Sequence, residues 1–419
     1  MVDSASKSAK RGASNGSPSS SPGPTNLSSS SRLPRDGYSG TGIVGDVRLS
    51  ARRDAELRPV FTHSSGELLC DWDVVENLWA HAFSEQCLNV DPQDTPCVVT
   101  VPTDASSETI AKYLEIMFER FQVPAAFVLR KAVACAFAAG KTTALVLDSG
   151  ATGTVAATVY DGFVLKRTSV RSPLGGHVLD NQVLKAVEAE SGAPVRPRFL
   201  FVKKRDVTGV LKAVPVDSVG AATFVGGSRS SAGLTSVHAH PTALAEAKLR
   251  IARDIKEEHF CVPHTAYNEI LASTIPKAVY ELPDGTPVHL GTCRYSIPEL
   301  LMNPGPLSDP TMVSVPDVVL ACLGQTPADV RRDAAAQLLL TGGNTCIDGF
   351  HQRLNLELTS KLANKLVKFR QHIPAPIERK AAGFMGASVL GSLGSFQQLW
   401  ISTKMYTERG AHGLANHYT

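Results

Sequence analysis

Two short segments hold the residues best suited to bind an anion. Asp148-Ser149-Gly150 follows the apolar run Leu145-Val146-Leu147, and Thr341-Gly342-Gly343-Asn344-Thr345 follows Leu338-Leu339-Leu340. A glycine turn at the end of a buried strand lets backbone N–H groups converge on a phosphate, because no Cβ stands in the way. Two such turns would face one nucleotide from opposite sides, across a cleft between two lobes. Either alone is also what an ordinary strand-to-loop connection looks like, so the surrounding elements carry the reading.

Those elements are well marked. Trp72, Val75, Leu78, Trp79 and Phe83 fall at helical spacing, Cys97 to Val101 reads as a strand ended by Pro102, and Ile110, Leu114, Met117, Phe118 and Phe121 line a second helix stopped by Pro124. A strand over Ala126–Leu129 leads into a helix over Lys131–Ala139, with Gly140 as its C-cap. Thr142 to Asp148 is then a buried strand. Thr154–Val159 and Phe163–Val170 read as the arms of a hairpin around Asp161-Gly162. Further on, Leu244, Ala247, Ile251, Ala252 and Ile255 share one helix face. Asn344 or Thr345 is placed to cap a helix carrying Ile347, Phe350, Leu354 and Leu358, which would put the second glycine turn at a helix N-terminus. Near the end, Gly383, Gly386, Gly391 and Gly394 alternate with Phe384, Val389, Leu390, Leu393, Phe396 and Trp400, a pattern that permits close backbone packing beside an apolar groove.

Composition sets the outer limits. A chain of 419 residues, 43% apolar and 19% charged, suits a two-lobed globular protein. Its net charge of +3 asks for no continuous DNA-binding surface. No apolar stretch reaches the ~20 residues that cross a bilayer, and the first residues lack a secretory apolar core, so an intracellular protein is expected. Eight cysteines are scattered without a CxxC pair, and read as buried free thiols of a reducing compartment. His238 and His240 have ligand-like spacing but no acidic or thiol neighbour, which argues against zinc. Residues 1–36 read as a disordered Ser-rich tail whose Lys7, Lys10 and Arg11 suit either nuclear import or simple solvation. Residues 37–66 form a polar, Gly-rich transition, and the Gly/Ser-rich stretch of about 203–241 reads as a loop insertion.

The chain resembles the actin family. The likeness is carried by Gly140-Lys-Thr-Thr-Ala-Leu-Val-Leu-Asp-Ser-Gly150, Arg253-Asp-Ile-Lys-Glu257, Thr341-Gly-Gly-Asn-Thr345, Glu378-Arg-Lys380 and Gly394-Ser-Phe-Gln-Gln-Leu-Trp-Ile-Ser402, in the family's order over roughly residues 68–405. Ser149-Gly-Ala-Thr152, Asp161-Gly-Phe-Val-Leu165, Ser172-Pro-Leu174 and Val279-Tyr-Glu-Leu-Pro-Asp-Gly285 resemble its nuclear, actin-related members. The resemblance implies an α/β, actin-like (actin/Hsp70/sugar-kinase) fold with two lobes and a nucleotide cleft. Residues 37–138 plus 382–419 would form the first lobe, and residues 139–381 the second. It implies ATP with Mg²⁺: Asp148, Ser149 and Gly150 as the second phosphate turn, Asp148 near the metal through water, Arg253, Lys256 and Glu257 beside the adenosine, Gly342 and Gly343 against sugar and phosphates, and Lys380 near the adenine.

Three departures speak against hydrolysis. Lys131 stands where the family has the glutamine that orients the attacking water, and an ammonium has no acceptor for that water's proton. Gly153 replaces the histidine after the second phosphate turn. The family's first phosphate hairpin has no counterpart before residue 68, which leaves the first lobe incomplete and opens its sheet edge. Lys131 would then contact phosphate or form a structural ion pair.

Together with these departures, the resemblance to the family's nuclear members implies a non-catalytic adaptor of the nucleus, a subunit of a chromatin-remodelling or histone-acetyltransferase complex. Its groove of Phe137, Gly140, Leu390, Leu393, Ser395 and Leu399 would receive a helical scaffold segment of a remodeller ATPase or acetyltransferase subunit. Core packing is the competing account of these residues. Nuclear actin would be a neighbour and nucleosomes would be met only indirectly, with no membrane involved. The competing function is an ATP-hydrolysing, polymerising cytoskeletal protein. A kinase of the sugar-kinase type would need a further carboxylate facing the phosphates, and beyond Asp148 the sequence offers none.

Overall fold

The computed structural model describes residues 56–64, 67–205, 211–215, 239–362 and 367–418. The serine-rich tail, most of the transition, His238 and much of the 203–241 stretch lie outside the described residues.

The chain enters through an antiparallel hairpin, β1 (Phe61–Ser64) and β2 (Glu67–Cys70), that forms its own two-stranded ladder. Helix α1 (Trp72–Phe83) starts where the Asp71 carboxylate caps Val74 N–H. Strand β3 (Cys97–Val101) follows, then α2 (Ser107–Glu115), capped by Ser106 and continued by a π turn over Ile116–Arg120. β4 (Ala125–Arg130) pairs parallel with β3 and passes directly into α3 (Lys131–Ala138). Next come β5 (Ala144–Ser149), β6 (Thr154–Tyr160), β7 (Phe163–Val164) and β8 (Val170–Ser172). The expected second hairpin arm over 163–170 is thus two short strands, divided by a 3₁₀ turn at Lys166–Thr168 whose Thr168 hydroxyl takes the Thr158 N–H.

Helix α4 (Gly176–Ser191) leads to β9 (Phe201–Arg205) and β10 (Leu211–Pro215). These pair as an antiparallel ladder inside the stretch read as a loop insertion, a pairing its weak alternation did not announce. Helices α5 (Pro241–His259) and α6 (Glu269–Ser273), strands β11 (Ala278–Glu281) and β12 (Pro287–Leu290), and helices α7 (Cys293–Glu299), α8 (Val315–Gln325) and α9 (Ala328–Ala335) complete the middle of the chain. β13 (Leu338–Thr341), α10 (Phe350–Lys361), β14 (Gln371–His372), α11 (Pro376–Ser392), β15 (Ile401–Ser402) and α12 (Thr403–Tyr418) close it.

Two sheets organise these elements. One has the order β15-β4-β3, and the other runs β14-β13-β5-β6-β7 with β8 also paired to β6. Period-2 alternation sorts the side chains between cores. Leu145 and Leu147 of β5 and Leu338 and Leu340 of β13 join one cluster with α4, α5, α8 and α10, while Val146 and Leu339 join another with α3 and α11. Both faces of the larger sheet are covered, which is why its strands read as unbroken apolar runs. In the smaller sheet, Val99, Val101, Ala126 and Val128 pack on α1, α2 and α12, whereas Leu129 and Phe127 turn toward α3 and α11. The α3–α11 pair therefore serves both sheets. β3 is the edge of the smaller sheet, paired with β4 alone among the described residues. Helix α11 runs unbroken through residues 381 and 382, where the sequence reading drew a lobe boundary.

Candidate functional site

β5 and β13 are adjacent and parallel, with Thr341 opposite Asp148. The two glycine turns therefore leave the same end of one sheet side by side. The sequence reading had them face one nucleotide from opposite sides of a cleft, and the strand register corrects that. The C-terminal ends of neighbouring parallel strands are where open α/β sheets receive ligands.

The turns are in direct contact. Gly342 has φ +89° and ψ 156°, a region essentially reserved for glycine, and a Cβ there would overlap the Ser149 carbonyl. Its N–H donates to Arg379 O (3.0 Å) and its carbonyl accepts from the Thr345 hydroxyl (2.7 Å). Asn344 Nδ2 donates to Ser149 Oγ (3.1 Å) and to Gly150 O (2.9 Å). Ser149 and Thr154 hydroxyls lie 2.9 Å apart, and Thr154 donates onward to Leu174 O. The Ser149 side chain is thus fully buried and committed to this relay. Any ligand contact it makes is through its backbone. Gly150 N–H closes the first turn onto Gly153 O, and Gly176 N–H reaches Gly150 O.

The second turn does not cap a helix as expected. A 3₁₀ turn over Gly343–Cys346 intervenes, Ile347 is extended, and α10 begins at Phe350 behind Gly349, whose left-handed backbone redirects the chain. The helix dipole is therefore not aimed from this turn.

The residues assigned to the adenosine are internally paired. Asp180, 1% exposed, holds Lys256 Nζ at 2.5 Å and Arg253 Nε at 3.1 Å. Lys256 is itself buried and also points at Gly176 O. Burial holds the nearby His177 imidazole below the ordinary histidine range despite Asp180. Glu257 and Lys380, from α5 and α11, meet at 2.9 Å on the exposed surface. The structure thus brings Glu257 together with Lys380 and turns Arg253 and Lys256 inward. The reason is Asp180, an acid one helical turn into α4 that the sequence reading did not single out.

At the first turn, Lys131 Nζ lies 2.6 Å from Asp148 Oδ2, and the Thr341 hydroxyl lies 3.4 Å from Asp148 Oδ1. Burial alone would favour the neutral amine, but the Asp148 carboxylate outweighs it and holds Lys131 above the ordinary lysine range. Nearby, Arg171 of β8 clasps Asp104, beyond the end of β3, at 2.9 Å, so a second ion pair joins the two sheets. A cleft of ≈ 740 Å³ opens along β3 from Trp79 to these pairs and is lined by Lys131, Asp148, Gly150, Gly153 and Arg171. Gly342, Gly343, Arg253, Lys256, Glu257 and Lys380 do not line it.

Among the described residues no group of three His, Cys, Asp or Glu side chains is arranged to hold a metal ion. His240 serves instead as the N-cap of α5, accepting from Thr242 N–H. Of the eight thiols only Cys135 and Cys322 are buried, so the reading of all eight as interior thiols is too broad. Burial pushes both up to about 12, whereas Cys87 is exposed. At pH 8 a thiol with a pKa of about 12 is only about one ten-thousandth thiolate. Alkylation of the folded protein is therefore expected at Cys87 first, with Cys135 and Cys322 reacting only in denaturant, as peptide mapping would show.

The groove residues divide. Leu390 is 6% exposed and belongs to the α3–α11 core, so the packing account holds for it. Phe137 is half-buried against the same core, and Gly140 is exposed in the left-handed turn after α3. Leu393, Ser395 and Leu399 are exposed. The sequence reading missed the outer face of α11 itself, where Phe384 is 78% exposed, with Met385 and Val389 beside it. Their spacing against Gly383 and Gly386 was the available signal, since small residues face inward and large apolar ones face out.

The family model described as Actin matches residues 9–417. An "Actin-related protein 4" of Oryza sativa subsp. indica is 34% identical over 355 residues, covering 81% of this chain and 74% of the relative. Its namesake in Arabidopsis thaliana is 32% identical over 383 residues, covering 88% and 81%, and that of Schizosaccharomyces pombe 28% over 377 residues, covering 82% and 81%. With a matching model over nearly its whole length and relatives of this similarity, the chain belongs to the actin family and has the actin fold.

Proposed function

We propose that this protein is a non-catalytic actin-related subunit of a nuclear chromatin-remodelling or histone-acetyltransferase complex. It docks on a helical scaffold segment beside nuclear actin and uses an adenine nucleotide, where it holds one, as a structural ligand. The observation that carries this reading is the outward face of α11 and the turn after it, where Phe384, Val389, Leu393 and Leu399 are 78%, 45%, 41% and 52% exposed. A run of large apolar side chains left facing water marks a docking surface, and an amphipathic helix is the partner that buries such a row. The shared name of the relatives supports an actin-related protein, and the resemblance to nuclear members supports the compartment. No helix among the described residues is long and apolar enough to cross a membrane.

Lys131 supports the absence of turnover. A catalytic water needs an acceptor to orient it, and an ammonium already bound to Asp148 offers donors only. Phosphate release from the purified protein at a rate comparable with actin's would refute the adaptor reading in favour of a polymerising ATPase.

Leu393→Asp is the direct test of docking. Leu393 follows the last residue of α11 and is 41% exposed, so a carboxylate there is solvated and the fold is retained. Capture of the scaffold helix in co-purification is expected to fall by about tenfold or more, the effect of a charge in the centre of an apolar contact. Unchanged capture by a folded variant would remove this surface from the docking site.

A further inference from the structure

We propose that Lys131, rather than a divalent metal ion, is the resident cation of the first glycine turn, so that this turn takes up nucleotide without metal. The inference rests on the nucleotide reading above and specifies what that site requires.

A hard cation such as Mg²⁺ reaches a phosphate site through one or two carboxylates, the phosphates and water, and sits about 2 Å from each oxygen. Asp148 is the one carboxylate at the paired turns, and its charge is already met by an ammonium. Oδ2 is held by the Lys131 ammonium at 2.6 Å, and Oδ1 lies 3.4 Å from the Thr341 hydroxyl. A metal ion reaching Asp148 through water, as the family resemblance implies, would compete with a fixed ammonium for the same carboxylate and be repelled by its charge. The other acid near the cleft mouth, Asp104, is spent on Arg171 in a contact that uses both carboxylate oxygens. The donor set that the fold family implies for Mg²⁺ therefore does not fit this turn as it stands.

Lys131 fits in its place. It is the first residue of α3, set at the turn by the direct passage from β4 into the helix, and its side chain remains 40% exposed along the cleft wall. An ammonium has three donors, and one satisfies Asp148. The others are left for phosphate oxygens, which a lysine holds as a compact point charge.

The test is equilibrium binding of ATP and of ADP to the full-length protein, stripped of bound nucleotide, in excess EDTA and again in Mg²⁺. The expected result is a dissociation constant that differs by less than about threefold between the two buffers, because the bridging charge is supplied by the chain. Lys131→Gln is expected to weaken binding in EDTA by about tenfold or more, the loss of one charge-assisted hydrogen bond, and to recover in Mg²⁺ once Asp148 is released. Lys131→Arg should keep the metal-free binding. A merely structural Lys131 would lower binding equally in both buffers. Binding by the unaltered protein that disappears in EDTA overturns the inference while leaving the nucleotide reading in place. No binding in either buffer overturns both.

Discussion

Gly386→Val is expected to abolish soluble folded protein, although valine is the better helix former of the two. The propensity gain at a helix interior position is less than about 1 kcal/mol. Against it stands a collision between backbones. Gly386 lies in α11 where the helix crosses α3, and a Cβ there would overlap the carbonyl oxygen and carbon of Ala134. Neither atom can rotate away, so α11 must lift from α3. That pair fills the space beneath both sheets, packing Leu129 and Phe127 of one and Val146, Ala157, Val159 and Leu339 of the other. Displacement opens both interfaces at once. Overpacking that moves backbone costs about 1–3 kcal/mol or more, and loss of the shared layer adds cavity costs, against a net stability of about 5–15 kcal/mol. Soluble yield and the denaturant midpoint read the effect. Gly391→Ala is the control in the same helix: its Cβ would meet Val98 Cγ2 at 3.7 Å, an ordinary contact, so a gain of about 0.5–1 kcal/mol is expected. A Gly386→Val protein with an unchanged midpoint would contradict the packing account.

How far the sequence foretold this arrangement depends on which kind of information each residue carries. Leu145 to Leu147 and Leu338 to Leu340 announced buried strands, because sheets covered on both faces leave no alternative to continuous apolar runs. Their adjacency was not legible. Parallel pairing joins segments remote in the chain, and nothing local to Thr341 says that Asp148 will stand opposite it. Asp180 shows the same limit at one side chain. The sequence reading placed no helix over residues 176–191, and that Asp180 would bury itself between Arg253 and Lys256 depends on how α4 meets α5. Lys131 could be read both ways from sequence, as a phosphate contact or an ion-pair partner. The structure supplies the ion pair and leaves spare donors on the same ammonium. For Leu390 and Leu393, neighbours in one apolar pattern, only the end of α11 at Ser392 decides that the first points into the core and the second into solvent.

The two glycines of the second turn should separate folding from ligand uptake. Gly342→Ala is expected to cost about 2–4 kcal/mol, combining a backbone conformation that an L-residue avoids with a clash against a neighbouring strand end. Its φ of +89° is fixed from both sides, by the N–H bond to Arg379 O and by the Thr345 hydroxyl on its carbonyl, so the turn cannot relax without losing both. The new methyl would push β13 off β5 at Thr341 and Asp148, and with them the Lys131 contact. Nucleotide binding should fall together with the melting temperature. Gly343 is the opposite case. Nothing lies within 4 Å of a Cβ placed there. Gly343→Arg should therefore fold with stability changed by no more than about 0.5 kcal/mol, as surface substitutions do. If backbone at this position approaches the ligand, the bulky side chain excludes it, and nucleotide content measured after gentle purification drops to background while the thermal transition stays in place. A Gly343→Arg protein that retains its nucleotide would detach the second turn from the ligand. The first turn, with Lys131 and Asp148, would then be the whole of the phosphate site.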